Sequence, residues 1–311
     1  MQKKLILIIG LLCLCLKAAA QNDASFGQYW NVMPYYNPAT VGKQSKVNVA
    51  VAYQMNLVGF ENNPRTMYIA ADLPFYFLRS YHGAGVEVLN DQIGLFKNQR
   101  IALQYAFRLK LFGGMLGVGA MAGMISEAFD GSKLDLDEKS DPAFATSEVE
   151  GHALDLALGL YYQHKNWYAG FATQHLTQPL IRLGETNELE MARAYNLLGG
   201  CNIKLRNTFL SIQPSVLAQT DLATYKVDVT ARLVYSHDDK RLEAGVSYSF
   251  KNSVTFIIGG LFHGISLGYS YEAYTSALKF GPGSHGIVVG YQTDINLQKK
   301  GRNRHKSVRL L

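Results

Sequence analysis

The sequence predicts an all-β protein, a transmembrane barrel of about fourteen antiparallel strands. Three observations lead there. A two-residue alternation of apolar and polar side chains recurs along the chain. Beyond the first twenty residues, no apolar run reaches the length of a spanning helix. No amphipathic helix is present to cover the apolar faces that the alternation creates. The stretch Ile101–Leu111 sets the pattern. Ile101, Leu103, Tyr105, Phe107, Leu109 and Leu111 alternate with Ala102, Gln104, Ala106, Arg108 and Lys110. Successive side chains of a strand point to opposite faces, so this segment has one greasy and one wet face.

The chain opens with an export signal. Lys3 and Lys4 precede the apolar run Leu5–Leu16, and Ala18-Ala19-Ala20 offers a small-residue cleavage site. Cleavage is expected between Ala20 and Gln21, because the run is too short to span a membrane. Cys13 and Cys15 leave with the signal, without the small residue before them that a lipidated cysteine needs. Cys201 is then alone, and no internal disulfide is expected.

From Lys46 the dyad pattern returns strand after strand. Expected strands are Lys46–Leu57, Arg65–Leu73, Gly83–Asn90, Ile101–Leu111 and the glycine-rich Met115–Ser126. His152–Gln163, Trp167–Leu176, Ala194–Leu205, Thr208–Leu217 and Thr224–Tyr235 follow. Leu242–Phe250, Val254–Phe262, Ile265–Ala273 and Ile287–Ile295 complete the set. Strands of about nine to twelve residues match a tilted membrane crossing. A soluble two-layer sandwich would also alternate. Lys, Arg, Asp and Gln opposite the apolar face suit a barrel with a polar lumen and lipid outside. The 19 Tyr, 15 Phe and 29 Gly fit strands, tight turns and interfacial girdles.

The connections support the same reading. Those after even-numbered strands are short, as in Phe112-Gly113-Gly114, His164-Lys165-Asn166, Arg206-Asn207 and His263-Gly264. They are expected to face the periplasm, with Pro74–Tyr81 as one longer exception. Phe129–Gly151 and Thr177–Arg193 are long and are expected outside the cell. The domains are thus a signal (1–20), a periplasmic or plug segment (21–45), a barrel (46–296) and a basic periplasmic tail (297–311).

The net charge of +6 is concentrated at the ends. The signal holds three lysines, and the tail holds Lys299, Lys300, Arg302, Arg304, Lys306 and Arg309. Removing those nine from 30 basic residues leaves 21 against 24 acidic ones, a body charge of −3. A nucleic-acid partner is therefore not expected. Lys299, Lys300, Arg302 and Arg304 are candidates for periplasmic docking, weighed against a solubilising tail.

No catalytic, cofactor or metal site is expected. Ser284 and His285 are neighbours on a strand and point apart, so they make no catalytic pair. The histidines show no tight ligand spacing. Asp135-Leu136-Asp137-Glu138 offers oxygen ligands but lacks the spacing and glycine of a calcium loop. Arg65, Glu87, Arg108, Lys110, Lys226, Asp228 and Arg232 are expected in a hydrated lumen, where a further charge such as Gln104→Arg would be mild.

Several short motifs occur in a telling order. They are Gln28-Tyr29, Asn37-Pro38-Ala39 with Gly42, Gly59-Phe60-Glu61 with Pro64-Arg65-Thr66, and Asn90-Asp91 with Ile93-Gly94. Tyr105-Ala106 with Arg108, Asp141 with Phe144, Pro214-Ser215, Gly268-Tyr269-Ser270-Tyr271 and Gly283-Ser284-His285 follow. In this order the chain resembles the PorP/SprF family of outer-membrane proteins of the type IX secretion system. It departs at Gly286, where that family usually has Glu, and in its basic tail. The resemblance implies a bacterial outer-membrane protein, not an enzyme. It implies work through protein–protein contact, secreting or surface-attaching cargo that carries a type IX sorting domain. Partners implied are that cargo, other secretion-system components in the periplasm or outer membrane, and for some members the gliding machinery. Candidate contact residues are Asn37, Pro38, Gly59, Phe60, Pro64, Arg65, Asn90, Asp91, Gly94, Asp141, Phe144, Ser284 and His285. A general diffusion porin is the alternative, and a lipid-acting barrel enzyme is a third reading.

Overall fold

The computed structural model describes residues 23–131, 148–184, 187–275 and 281–295. Its strands are β1 (Lys46–Met55), β2 (Arg65–Phe77), β3 (Ser80–Ile93), β4 (Phe96–Leu111), β5 (Gly114–Asp130) and β6 (Glu148–Gln163). Then come β7 (Trp167–Gln174), β8 (Leu180–Leu183), β9 (Asn187–Glu190), β10 (Ala194–Cys201) and β11 (Ile203–Lys204). The last are β12 (Leu210–Thr220), β13 (Tyr225–His237), β14 (Lys240–Ser249), β15 (Ser253–Phe262), β16 (Ile265–Tyr274) and β17 (Ser284–Asp294).

Every wall strand runs antiparallel to its neighbours. β1 pairs with both β2 and β17, and β10 joins β7 to β12, so the sheet closes on itself. The two-residue β11 continues β10 along β12. Counting that pair as one strand gives a closed wall of fourteen, with β8 and β9 forming a separate hairpin. Closure leaves no free sheet edge around the ring, as a lipid environment requires.

The alternation sorts the two faces as the local pattern predicts. Leu103 is 69% exposed on the outside, whereas Ala102 is 2% exposed toward the lumen. Aromatic residues cluster at both ends of the apolar band. Phe77, Trp167, Phe209 and Phe262 lie at the short-turn end, and Phe60, Phe96, Tyr225 and Phe250 at the other. These are the two interfacial girdles of a membrane barrel. Arg65 departs from expectation. It shares the outward parity of Met67 and Ile69, and Thr66 faces inward in its place.

The wall is uneven in height. β4, β5 and β6 have 16, 17 and 16 residues, but β7 and β10 only 8 each. The strand centres follow the sequence pattern, while several ends run further, as at the start of β4, where Lys97, Asn98 and Gln99 interrupt the alternation. The expected long connection at Pro74–Tyr81 is instead strand, closed by a two-residue turn. Leu78 and Arg79 have φ of 46° and 63°, the positive pair of a type I′ hairpin turn. Pro74 is tolerated because β1 pairs with β2 only as far as Asp72, so the missing N–H removes nothing from that ladder. The long connection after β7 contains the β8–β9 hairpin, which the sequence pattern did not reveal. Ile181 and Leu183 pack on Ile125, and Gly151 is small enough to admit the Arg182 carbonyl. The hairpin therefore folds to the lumen side of β6, above the low part of the wall.

Candidate functional site within the barrel lumen

The lumen is occupied by residues 23–43. This segment starts near the long-loop end, where Asp23 meets His175, and descends to enter β1 at the short-turn end. Residue 23 and Ile295 thus lie at opposite ends of the barrel, although Ile295 itself sits beside Ser45. Gln21 and the tail 297–311 lie outside the described residues.

The segment contains no long element. Pro34 and Pro38 break it into the turns Tyr29–Asn31, Met33–Tyr36 and Pro38–Thr40. Its apolar side chains form the largest buried cluster of the described residues. Phe26, Tyr29, Trp30, Val32, Met33, Tyr35 and Tyr36 pack with Tyr68, Leu89, Leu198, Leu217, Ile257 and Val288 of the wall. Tyr35 lies edge-on to Phe26 at 5.3 Å, to Tyr36 at 4.8 Å and to Tyr68 at 5.4 Å. Such contacts add to simple area burial.

An irregular backbone leaves carbonyls that neither helix nor sheet can satisfy. Here wall side chains supply the donors. Gln104 Nε2 donates to Pro34 O at 3.0 Å, Gln174 Nε2 to Tyr35 O, and Asn196 Nδ2 to Tyr36 O at 3.0 Å. Arg108 Nη2 donates to Ala39 O at 3.2 Å and Val41 O at 2.6 Å. Trp30 Nε1 donates to Glu243 at 3.2 Å, and the Arg232 guanidinium stacks over the indole at 4.1 Å. The expectation of a hydrated lumen in which Gln104→Arg is harmless does not hold at these positions.

Asn37 is the tightest clamp. Its Oδ1 accepts from Ala39 N at 2.9 Å, and its Nδ2 donates to Leu160 O at 2.9 Å and Phe171 O at 3.3 Å. It reaches those carbonyls because β5, β6 and β7 present Gly119, Gly159 and Gly170 to the lumen. A Cβ on Gly159 would collide with Asn37 Oδ1, and one on Gly119 with Ala39. Asn37→Ala leaves buried partners unpaired and is expected to cost about 1–3 kcal/mol. Faster proteolysis of residues 23–43 in the folded barrel is the measurement. An unchanged cleavage rate would remove the clamp from the argument.

A buried charge cluster holds the upper end. Arg100 Nη2 lies 3.0 Å from Glu87 Oε1, and Nη1 lies 3.6 Å from Asp155 Oδ2. These contacts are poorly aligned as hydrogen bonds, so the attraction is mainly coulombic. His175 bridges Asp155 Oδ1 at 3.0 Å and Asp23 Oδ1 at 3.2 Å. Burial opposes charge on His175, but Asp23 and Asp155 outweigh it and raise the imidazole to about 9. The folded value lies above the unfolded one, so the stabilisation is complete below about pH 6.5 and is lost as pH rises through about 9. The denaturation midpoint is expected to fall across that window, and Asp23→Asn should flatten the fall. A midpoint independent of pH there would exclude the bridge as an anchor.

A family model described as type IX secretion system membrane protein PorP/SprF matches residues 18–291. The chain belongs to the PorP/SprF family. A comparison with curated proteins gives no match. Among solved structures, this PorP/SprF barrel is similar to the CymD monoaromatic hydrocarbon channel. The TM-score is 0.52 at 12% identity, covering 88% of this chain and 94% of that one. The toluene transporter TodX of Pseudomonas putida gives a TM-score of 0.49 at 12% identity, covering 88% and 95%. At this identity the CymD likeness speaks for the outer-membrane barrel fold and nothing further.

Many segments that carry the family resemblance turn out to be partners in the lumen. Gln28 fits against Gly268, Tyr29 OH shares a hydrogen with Ser215 Oγ at 2.7 Å, and Asn37-Pro38-Ala39 meets Arg108 and the glycine recess. Gly42, at φ 61°, packs against Gly83. Other motifs of this PorP/SprF protein meet at the long-loop end because β1 and β17 close the ring. Leu57 N donates to Ser284 Oγ at 3.1 Å and Val58 N to Gly283 O at 2.9 Å, while Gly59 faces Pro282. Pro64 and Arg65 lead into β2, and Phe60 is exposed beside Gly281. Thr66 Oγ1 donates to Asp91 Oδ1 at 2.6 Å, joining the motif of β3 to the same rim. Asn90 and Asp91 lie in β3, and the turn itself is Gly94-Leu95, with Gly94 at φ 62°. Ser284 is buried on the lumen side, and His285 contacts Tyr269 OH at 2.7 Å. Ala20, Gln21, Asp135 to Glu138, Asp141, Phe144, Lys299, Lys300, Arg302 and Arg304 lie outside the described residues. Among the described residues, no group of His, Cys, Asp and Glu is arranged to hold a metal.

The sequence signal for the lumen site was the apolar content of residues 26–41 next to two prolines. The glycines at 119, 159 and 170, each on the inward face of its own strand, were a second signal.

Proposed function

We propose that this PorP/SprF barrel is a plugged scaffold of the type IX system that secretes or surface-attaches sorting-domain cargo through protein contacts. The supporting observation is the lumen segment, which packs against the wall from Tyr68 of β2 around to Val288 of β17 and is hydrogen-bonded to several strands between them. A solute crossing the barrel would have to displace that core. A diffusion porin instead needs an aqueous path and mobile constrictions. The rim formed by Gly59–Thr66, Asn90–Gly94 and Gly283–His285 is the candidate surface for cargo or outer components. Work by contact also accounts for the protein without an enzymatic role.

Two measurements test this reading. Reconstituted protein should be silent in planar bilayers, and mild extraction of the outer membrane should recover secretion components with it. Stable conductance without partners would favour the porin. A cysteine at Ser140, in the connection 131–147, should react with an impermeant maleimide on intact cells. Labelling only after rupture would reverse the orientation.

A further inference from the structure

We propose that the short-turn mouth of the barrel carries an anion-binding pocket that receives a carboxylate-bearing peptide segment. The pocket has a volume of about 710 Å³ and contains Lys43, Arg108, Lys110, His164 and Lys165 in its lining. No aspartate or glutamate lines it. Among the described residues, none of the four Lys and Arg side chains is in an ion pair with a carboxylate.

Arg108 is the second, independent observation. It is 6% exposed, yet only Nη2 is used, on the carbonyls of Ala39 and Val41. Nε is buried with no partner among the described residues. A buried guanidinium with a donor to spare, on which Asp72 acts only from beyond ion-pair distance, is costly unless something completes it. Lys43, at the entry to β1, lies beside it. Burial pulls its ammonium down to about 8, with Arg108 adding to that and Asp72 opposing it. An arriving anion would relieve both groups.

The occupant follows from place and size. Arg108 and Lys110 have lumen parity, so the pocket opens inside the mouth and away from the lipid-facing wall. A volume of this order suits a ligand of many atoms and far exceeds one phosphate. Phe112, 87% exposed at the rim, adds an apolar contact that a peptide can use. The chain's own tail is excluded by charge. It follows Ile295, whose N–H bonds Ser45 O at the pocket rim, and residues 297–311 contain no acid. This pocket goes beyond the scaffold reading and stands or falls separately from it, because its test reads ligand binding and not conductance or secretion.

The test uses the full chain in neutral detergent with labelled hexaglutamate, followed by fluorescence anisotropy. Saturable binding is expected at low salt, weakening as salt screens the charges. Lys110→Gln with Lys165→Gln should weaken it about fivefold or more, since both side chains are exposed and leave the plug contacts intact. Lys110→Arg with Lys165→Arg should restore it. Lys97→Gln with Lys251→Gln, at the other mouth, should change nothing. Absence of saturable binding, or equal weakening by the two glutamine pairs, overturns the pocket. Displacement of the peptide by inorganic phosphate at comparable concentration, or equal capture by phosphatidylglycerol vesicles, overturns the peptide as its occupant.

Discussion

Arg100→Ala is expected to destabilise the folded barrel by about 3–5 kcal/mol, the cost of leaving buried charges without their partner. Glu87 and Asp155 both face Arg100, and neither is exposed to water. The guanidinium also lies over the Tyr35 ring at 5.2 Å, so its loss loosens the aromatic core of the plug. The effect should not be confined to stability. Residues 23–36 should become susceptible to protease, and channel openings should appear in bilayers where the native barrel is expected to be silent. Arg100→Lys should recover only part of the loss, because an ammonium cannot span two carboxylates as the planar fork does. Urea titration in lipid vesicles gives the free energy. A change under about 1 kcal/mol would mean that water already reaches the cluster.

Leu103→Arg is expected to cost about 2–4 kcal/mol in the same assay, as for a charge on the lipid face near the middle of the membrane. Leu103 is flanked on the outer face by Val86 of β3 and Ala122 of β5. Its neighbour Gln104 tests the other face. Gln104→Arg was expected to be mild in a water-filled lumen. Here Gln104 is 6% exposed, donating to Pro34 O and to Glu87 Oε2 at 2.9 Å. A longer side chain there must displace the plug, at about 1–3 kcal/mol by overpacking. The two substitutions should separate in lipid dependence. Leu103→Arg should become milder as the bilayer thins, and Gln104→Arg should not. Equal sensitivity to bilayer thickness would contradict the assignment of faces.

The wall was legible in the sequence because alternation is a local property. Ile101–Leu111 displays both faces without reference to any other strand, and the further segments do the same, Val254–Phe262 poorly. Short turns between them then imply antiparallel neighbours. Strand ends were less legible, as at β3, because rim residues lose the alternation once both faces meet water. Pro74 misled for a similar reason, since a proline is excluded from a ladder only where a partner needs its N–H. The β8–β9 hairpin escaped because four-residue strands carry too few alternations to stand out.

The lumen was decided by the tertiary structure. Residues 23–43 have no period, so their apolar side chains indicated burial without indicating against what. Their receptors are spread from Tyr68 to Val288 and come together only when β1 meets β17. Arg108 could be assigned to the inner face from its neighbours. That it holds the backbone of Ala39 and Val41, and retains an unsatisfied donor at the short-turn mouth, depends on contacts between residues 67 to 69 positions apart. Alternation dictates which way a side chain points. What it meets there is set by ring closure and by the course of a segment that has no alternation of its own.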